Sequence, residues 1–98
     1  MHRKESFDEK LSRELHDPEF AQNFLEGLIE AEDGNLSYED ALRDLISVMG
    51  ITEFSKFSKV PQPRVTEFVS GKDVKASTLD RFLKPFKLKV KLVFEKVA

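Results

Sequence analysis

Four polar residues in the second half of the sequence have side chains that can hydrogen-bond to nucleic-acid bases. They are Gln62, Arg64, Thr66 and Glu67. In the major groove of DNA, arginine pairs with guanine O6 and N7, glutamine pairs with adenine N6 and N7, and a carboxylate accepts from cytosine N4. Four lysines bracket this stretch and can contact phosphates, which position a protein without reading the sequence. They are Lys56, Lys59, Lys72 and Lys75.

Two short helices with a tight connection are the elements that can present these side chains. The pattern predicts a two-turn helix capped by Thr52, a connection at residues 58–60, and a second short helix at residues 62–70 that ends at Gly71. The apolar residues expected to face inward on the second helix are Val65, Phe68 and Val69. The major groove admits one α-helix, so the second helix is the candidate reader. Helical hairpins also occur in proteins that do not bind DNA, and that alternative stays open.

Longer helices are predicted on both sides of this pair. Ser6 with Glu9 forms a capping box, Asp17-Pro18 starts a second helix that runs to Gly34, and Ser37 starts a third that ends at Gly50. The residues expected to face inward on the third helix are Ala41, Leu42, Leu45, Ile46 and Met49. A last helix begins after Ser77, with Leu79, Phe82, Leu83 and Phe86 as its apolar face. We therefore expect an all-α bundle of five to six helices.

The end of the chain changes its period. Residues 87–92 alternate strictly between lysine and an apolar residue, which predicts a half-buried β-strand. The apolar side is formed by Leu88, Val90, Leu92 and Phe94. No other segment alternates in this way, so we expect the strand to pair with the same strand of a second copy in a homodimer. A frayed tail, or a strand packed on its own helices, is the alternative.

Length and composition exclude several classes of chemistry. Ninety-eight residues are the size of one domain, and the absence of cysteine excludes disulfides, thiolate zinc sites and a cysteine nucleophile. The two histidines, His2 and His16, are too few for a histidine-based metal site. Carboxylates lie at helix starts rather than in pairs, so we expect no enzyme, no metal and no cofactor. We find no membrane-spanning run or signal peptide, and expect a cytoplasmic protein.

Charge is distributed unequally along the chain. Residues 1–50 carry 5 Lys and Arg against 13 Asp and Glu, whereas residues 51–98 carry 11 against 5. The balance is −8 in the first half and +6 in the second, which suggests a basic partner for one and a polyanion for the other. The alternative is that the two charged faces attract each other within the fold.

The residues from Gly50 to Val60, GITEFSKFSKV, resemble the start of the Cro/phage-repressor (Xre) helix-turn-helix, which belongs to lambda-repressor-like domains. Residues 65–72, VTEFVSGK, resemble its reading helix and the closing Gly-Lys. Within that superfamily the chain is most similar to HigA-type antitoxins of toxin–antitoxin modules, through Asp17-Pro18-Glu19-Phe20-Ala21 before the helix pair and Ser77-Thr78-Leu79 after it. The ending Leu88–Phe94 is similar to the strand by which HipB-like antitoxins dimerise.

This resemblance implies roles for particular residues. It gives Gln62, Arg64, Thr66 and Glu67 a base-facing role, and it gives Thr52, Lys56, Lys59 and Lys72 backbone contacts. The turn position that the family usually fills with glycine is Lys59 here, which predicts either a left-handed backbone costing about 1 kcal/mol or a different turn. Pro61 replaces the usual serine or threonine cap, and Pro63 removes one polar side chain from the reading surface.

The resemblance also implies a use for the acidic half of the chain. Toxins of the RelE/HigB type are basic, RNA-cleaving proteins, and a helix that carries Glu26, Glu30, Glu32 and Asp33 can dock against one. The expected function is a DNA-binding repressor, and an antitoxin that regulates its own operon, in the nucleoid of a bacterium or phage host. Two alternatives remain: a stand-alone phage-like regulator, and a protein-interaction module that has lost DNA binding.

The expected organisation has three parts. Residues 1–35 form an acidic helical segment, residues 36–86 form the helix-turn-helix domain, and residues 87–98 form the dimerisation strand. The DNA target implied by a two-fold dimer is an inverted repeat.

Overall fold

The structure is a computed structural model that describes residues 8–30 and 36–90, and every regular element in these ranges is a helix. The six α-helices are α1 (Glu9–Glu14), α2 (Pro18–Ile29), α3 (Tyr38–Met49), α4 (Ile51–Ser58), α5 (Gln62–Val69) and α6 (Ala76–Leu83), and a 3₁₀ turn follows at Lys84–Phe86. The prediction of an all-α fold with five to six helices is confirmed. Within the described ranges, no helix is long and apolar enough to cross a bilayer.

Helix α3 is the element on which most of the others pack. Helices α1, α2, α4 and α5 all lie against it. Its five buried side chains are the five that the sequence pattern places inward: Ala41, Leu42, Leu45, Ile46 and Met49. As predicted, Ser37 caps the helix, since its Oγ accepts a hydrogen bond from the Asp40 amide at 3.1 Å. Gly50 ends it with a φ of 100°, a backbone region that favours glycine.

Four buried phenylalanines join the second half of the fold. Phe54 of α4 packs edge-on to Phe82 of α6, with ring centroids 5.6 Å apart, and stacks on Phe86 at 6.1 Å. Phe82 also contacts Phe68 of α5 at 5.0 Å. Aromatic pairs at these distances add to the free energy of burial. This cluster therefore fixes α4, α5, α6 and the 3₁₀ turn against one another.

The first two helices share the same core rather than building their own. Leu15 and Ala21 are fully buried in one cluster with the residues of α3 to α6. The buried Ser12 hydroxyl donates to the Met49 carbonyl at 2.9 Å, and Gln22 Nε2 donates to the Phe86 carbonyl at 2.8 Å. The hydrogen bonds therefore tie α1 to the end of α3 and α2 to the 3₁₀ turn.

Several helix ends differ from the sequence prediction. Helix α1 is capped by Asp8, whose Oδ1 accepts from the Leu11 amide at 3.0 Å, so the predicted capping box at Ser6 is wrong for this helix. Helix α2 starts as predicted at Asp17-Pro18 but ends at Ile29, before the predicted end at Gly34. Both Ser6 and Gly34 lie outside the described residues.

The predicted caps of α4 and α6 are also wrong. Only Gly50 separates α3 from α4, so α4 already begins at Ile51 and Thr52 lies inside its first turn. Helix α6 begins at Ala76, after an extended Lys75, and Ser77 is therefore a helical residue. Neither helix start has a side-chain hydrogen bond to its amides.

The predicted strand at residues 87–92 does not begin at Lys87. This residue is left-handed, with φ 61° and ψ 37°, because the chain turns here: its amide donates to Lys84 and the Leu88 amide donates to Leu83. Leu88 and Val90 are half-buried, and no strand is assigned to them. Leu92 and Phe94 lie outside the described residues.

Candidate nucleic-acid interface

The connection between α4 and α5 is three residues long and tightly bonded. Lys59 is left-handed, with φ 62° and ψ 29°, and the next side chain, Val60, is buried. Ser55 Oγ donates to the Val60 carbonyl at 2.6 Å, and Ser58 Oγ accepts from the Val60 amide at 3.3 Å. Arg81 of α6 donates to the Lys59 carbonyl at 3.2 Å. Both polar backbone groups of Val60, and the carbonyl of Lys59, therefore have partners.

Of the two conformations predicted for Lys59, the structure has the left-handed one. A non-glycine residue in this region costs roughly 1–2 kcal/mol. The bonds from Ser55 and Arg81 and the burial of Val60 offset that cost. The lysine side chain itself is exposed. A glycine at this position would adopt the left-handed conformation at lower cost, but it would lack the positive charge that Lys59 places in the turn.

Helix α5 buries one side and exposes the rest. Val65 and Phe68 are fully buried, and Val69 is half-buried. The four predicted base-facing residues are all exposed: Gln62, Arg64, Thr66 and Glu67.

The exposed residues of α5 differ in their positions around the helix axis. At 100° per residue, Pro63 and Glu67 lie opposite the buried side, Gln62 and Thr66 lie on one flank, and Arg64 lies on the other. The centre of the exposed face is therefore a proline and a carboxylate. The longest donor, Arg64, points along a different edge from Gln62.

The predicted phosphate-facing residues lie at helix ends around α5, and all are exposed. Thr52 and Lys56 are on α4, Lys59 is in the turn, Lys72 follows α5, and Lys75 precedes α6. Lys72 is held by the backbone, because its amide donates to the Glu67 carbonyl at 3.1 Å while the Gly71 amide donates to Phe68 at 3.0 Å. This pair of bonds is the helix ending in which the residue after the cap is left-handed, and Gly71 has φ 111° there.

Two arginines that sequence reasoning missed bond to backbone at the two ends of α5. Arg81 donates to a carbonyl of the turn before α5. Arg43 of α3 donates to the Phe68 carbonyl in the last turn of α5 and to the Lys72 carbonyl after it. Nothing in the neighbouring sequence predicts either contact, because the partner residues, Lys59 and Phe68, lie 22 and 25 residues away along the chain. The only sequence sign is that Arg43 lies three residues after Asp40 on the same helix, with which it forms an ion pair at 2.9 Å.

The acidic and basic halves of the chain do not neutralise each other through ion pairs in the described ranges. Two of the three pairs there lie within one helix: Arg13 with Glu9, and Arg43 with Asp40. The third is a hydrogen-bonded contact between His16 Nε2, just after α1, and Glu53 Oε2 of α4 at 3.1 Å, and His16 Nδ1 lies 2.9 Å from the Ser12 carbonyl. The contacts of His16 thus hold two helices together.

Acidic side chains remain exposed on α2 and at the start of α3. They include Glu19, Glu26, Glu30, Glu39 and Asp40. Two residues of the predicted acidic face, Glu32 and Asp33, lie outside the described residues. Among the residues that are described, no group of three or more His, Asp and Glu side chains is arranged to hold a metal ion.

Comparisons with protein-family models, with curated proteins and with solved structures find no match to this chain.

We predict that Lys59→Gly stabilises the protein by about 0.5–1 kcal/mol, because the relief of the left-handed backbone exceeds the extra backbone entropy that glycine loses on folding. The matched control is Lys56→Gly, which removes another exposed lysine but lies inside α4, and it should destabilise by about 1 kcal/mol. Urea unfolding measures both. A loss of stability in both variants would contradict the conformation described for Lys59.

Proposed function

We propose that this chain is a sequence-specific DNA-binding regulator in which α4 and α5 act as a helix-turn-helix and α5 enters the major groove. The observation that carries the proposal is the way α5 is held. Its apolar side rests on the aromatic cluster, while its whole polar side is exposed between lysine-bearing ends. A single exposed helix with hydrogen-bonding side chains, flanked by cations, is the arrangement that reads base edges and contacts phosphates.

The proposed mechanism divides the contacts between the two flanks of α5. Arg64 bonds a guanine from one flank, while Gln62 and Thr66 bond bases from the other. Glu67 at the centre accepts from a cytosine amine or rejects other bases by charge. The lysines at residues 56, 59, 72 and 75, together with Thr52, fix the depth and register of the helix through phosphates. Binding at a promoter then represses transcription by excluding polymerase.

A homodimer is part of the proposal, and an apolar groove that α3 shares with α2 and α6 supports it. The groove has a volume of about 630 Å³ and lies between α2, α3 and α6. Its apolar lining includes Leu25, Ile29, Leu42, Leu79, Leu83, Leu88 and Val90. Tyr38, at its edge, is 78% exposed. An apolar groove of this kind favours a protein partner over water.

The occupant that we propose for this groove region is the end of a second copy. The chain passes through the groove at Leu88 and Val90, where the Val90 amide donates to Asp80 Oδ1 at 2.6 Å. After the turn at Lys87, residues 88–98 contain no Gly, Pro, Asn or Asp, the residues that most readily turn a chain back. Continuation of the alternating apolar side into Leu92 and Phe94 therefore favours pairing between two chains. Two copies related by a two-fold axis present their α5 helices to major grooves about 34 Å apart.

An antitoxin role is the further part of this proposal. The exposed carboxylates of α2 fit a basic protein, and charge complementarity chiefly accelerates association and selects the partner. In the proposed module the chain is a cytoplasmic protein that neutralises a basic RNA-cleaving toxin. It also represses the operon that encodes both proteins.

A stand-alone regulator would have the same DNA-binding surface but no toxin partner. A protein-interaction module is favoured by one observation: Pro63 lies at the centre of the exposed face of α5.

We predict that Arg64→Ala lowers affinity for a selected operator by about 1–3 kcal/mol and relaxes base preference, because one bidentate contact is lost. Lys72→Ala should weaken operator and random DNA alike, because it removes only a phosphate contact. Gel-shift titrations at several salt concentrations measure both, with Lys10→Ala on α1 as the control for lost charge. Equal losses on every sequence in both variants would contradict base reading by Arg64.

We predict that the protein sediments as a dimer at micromolar concentration and that Phe94→Lys shifts it toward monomer. The lysine places a charge on the apolar side of the alternating segment. The matched control is Val93→Lys, the same chemical change one residue earlier and on the other side of the alternation. A wild-type monomer, or equal effects of the two substitutions, would count against the dimer proposed here.

We predict that co-expression with the product of the neighbouring gene yields a complex with a small basic protein. Reversal of charge at Glu26 and Glu30 together should slow association by about tenfold or more at low salt, and less at high salt. A double control, Glu9→Lys with Glu14→Lys on α1, has the same net charge. If no basic protein copurifies while DNA binding is intact, the stand-alone regulator is the correct assignment.

A further inference from the structure

The side chain of Arg43 connects α3 to the end of α5 through two hydrogen bonds and one contact with an aromatic ring. Its Nε donates to the Phe68 carbonyl at 2.6 Å, and its Nη2 donates to the Lys72 carbonyl at 3.4 Å. Its Nη1 donates to Asp40 Oδ1 at 2.9 Å. The guanidinium carbon also lies 4.5 Å from the centre of the Phe68 ring. Only 18% of the side chain is exposed, against 53% for Asp40.

These contacts use properties that arginine has and lysine lacks. The guanidinium is a rigid planar fork with five donors, whereas the lysine ammonium is a single point charge. The last carbonyls of a helix carry the negative end of the helix dipole, which favours a cation, and a carbonyl oxygen can accept a second hydrogen bond. The Phe68 ring adds a cation–π contact. Arg43 thus adds a second hydrogen bond to the Phe68 carbonyl, which also accepts from the Gly71 amide. It stacks on the Phe68 ring and bonds to the Lys72 carbonyl as well.

The two carbonyls that Arg43 contacts lie on either side of the turn that ends α5. Phe68 is in the last turn of the helix, and Lys72 is the first residue after Gly71. The Asp40 carboxylate holds the guanidinium from the α3 side. The position of α5 relative to α3, and the direction in which the chain leaves at Lys72, are therefore fixed by the same group.

We propose that Arg43 is a positioning residue for DNA recognition: it holds the base-facing side of α5 and the phosphate-facing Lys72 in one fixed relation without touching DNA itself. This inference rests on the DNA-binding function proposed above. Recognition of base edges requires side chains placed to within about 0.5 Å, whereas attraction to phosphates tolerates larger errors. Loss of Arg43 therefore affects specific binding more than non-specific binding.

The test compares Arg43→Gln and Arg43→Lys with Arg13→Gln, which removes an exposed arginine that bonds only to its own helix. Each variant is titrated against a duplex selected with the wild-type protein and against a random duplex, over a series of salt concentrations. We expect Arg43→Gln to lose about tenfold or more in affinity for the selected duplex and less than about threefold for the random one. The slope of log K against log salt should not change, because no phosphate contact is lost.

The lysine variant separates the shape of the guanidinium from its charge. We expect Arg43→Lys to lose selectivity nearly as much as Arg43→Gln, because it cannot bond to both carbonyls and the carboxylate at once. It also keeps the positive charge, so it carries the same test if the glutamine variant does not fold. Amide hydrogen exchange at Gly71 and Lys72 should become faster in both variants and stay unchanged in Arg13→Gln.

Four results would overturn the inference, and each has its own signature. A salt slope reduced by about one would show that Arg43 contacts a phosphate directly. Equal losses on selected and random DNA, or full recovery of binding by lysine, would show that only charge matters. Unchanged binding by all variants would remove the role altogether. If the wild-type protein binds no duplex, the proposed function fails first, before any variant is compared.

Discussion

The contact between Phe68 and its neighbours is the interaction on which the exposed helix depends. Helix α5 has only eight residues, and isolated helices shorter than about 12–15 residues are marginal in water. Half of its side chains are polar and exposed, so tertiary packing of the other side must supply the stability that the helix itself lacks. Phe68 provides this packing by contact with the Phe82 ring at 5.0 Å and with the Arg43 guanidinium at 4.5 Å. The polar side of α5 can stay exposed because Val65 and Phe68 on its apolar side are fully buried.

The N-terminal helices α1 and α2 enlarge the core on which α5 packs. A chain of 98 residues buries a smaller share of its surface than a larger domain does, so each added core residue matters. Helices α1 and α2 add Leu15, Ala21 and Leu25 to the core. They also bond to the end of α3 and to the 3₁₀ turn through Ser12 and Gln22. Helices α1 and α2, which belong to the acidic segment of the sequence, therefore share one core with the helices that carry the lysines.

Sequence reasoning predicted the helices and their buried sides because these depend on local periodicity. The five inward residues of α3 and the start of α5 at Gln62 follow from that pattern alone. Helix ends were less predictable, because Thr52 and Ser77 are good caps by type but the backbone turns one or two residues before them. Lys87 shows the same limit: an alternating pattern cannot reveal a left-handed turn that is set by bonds to Leu83 and Lys84.

The candidate interface was predictable in its residues but not in its support. The exposed residues of α5 follow from their position opposite Val65 and Phe68. The contacts of Arg43 and Arg81 do not, because helical periodicity gives the direction of a side chain and not its partner across 22 to 25 residues. Their carbonyl acceptors belong to the backbone, which leaves no complementary residue type in the sequence to find.

The opposite net charges of the two halves of the sequence have a consequence for the proposed function. A net charge of −2 per chain opposes the approach of DNA at long range, even though lysines surround α5. Helix α2 packs on α3 and the 3₁₀ turn, whereas α5 packs on α3 and α4, so the carboxylates of α2 and the exposed side of α5 occupy different parts of the fold. A basic protein bound to α2 would cover carboxylates and leave α5 exposed. If the chain binds DNA as proposed, such a partner raises its affinity for DNA by reducing the negative charge of the complex. This effect should weaken at higher salt, which screens charges beyond roughly 10 Å.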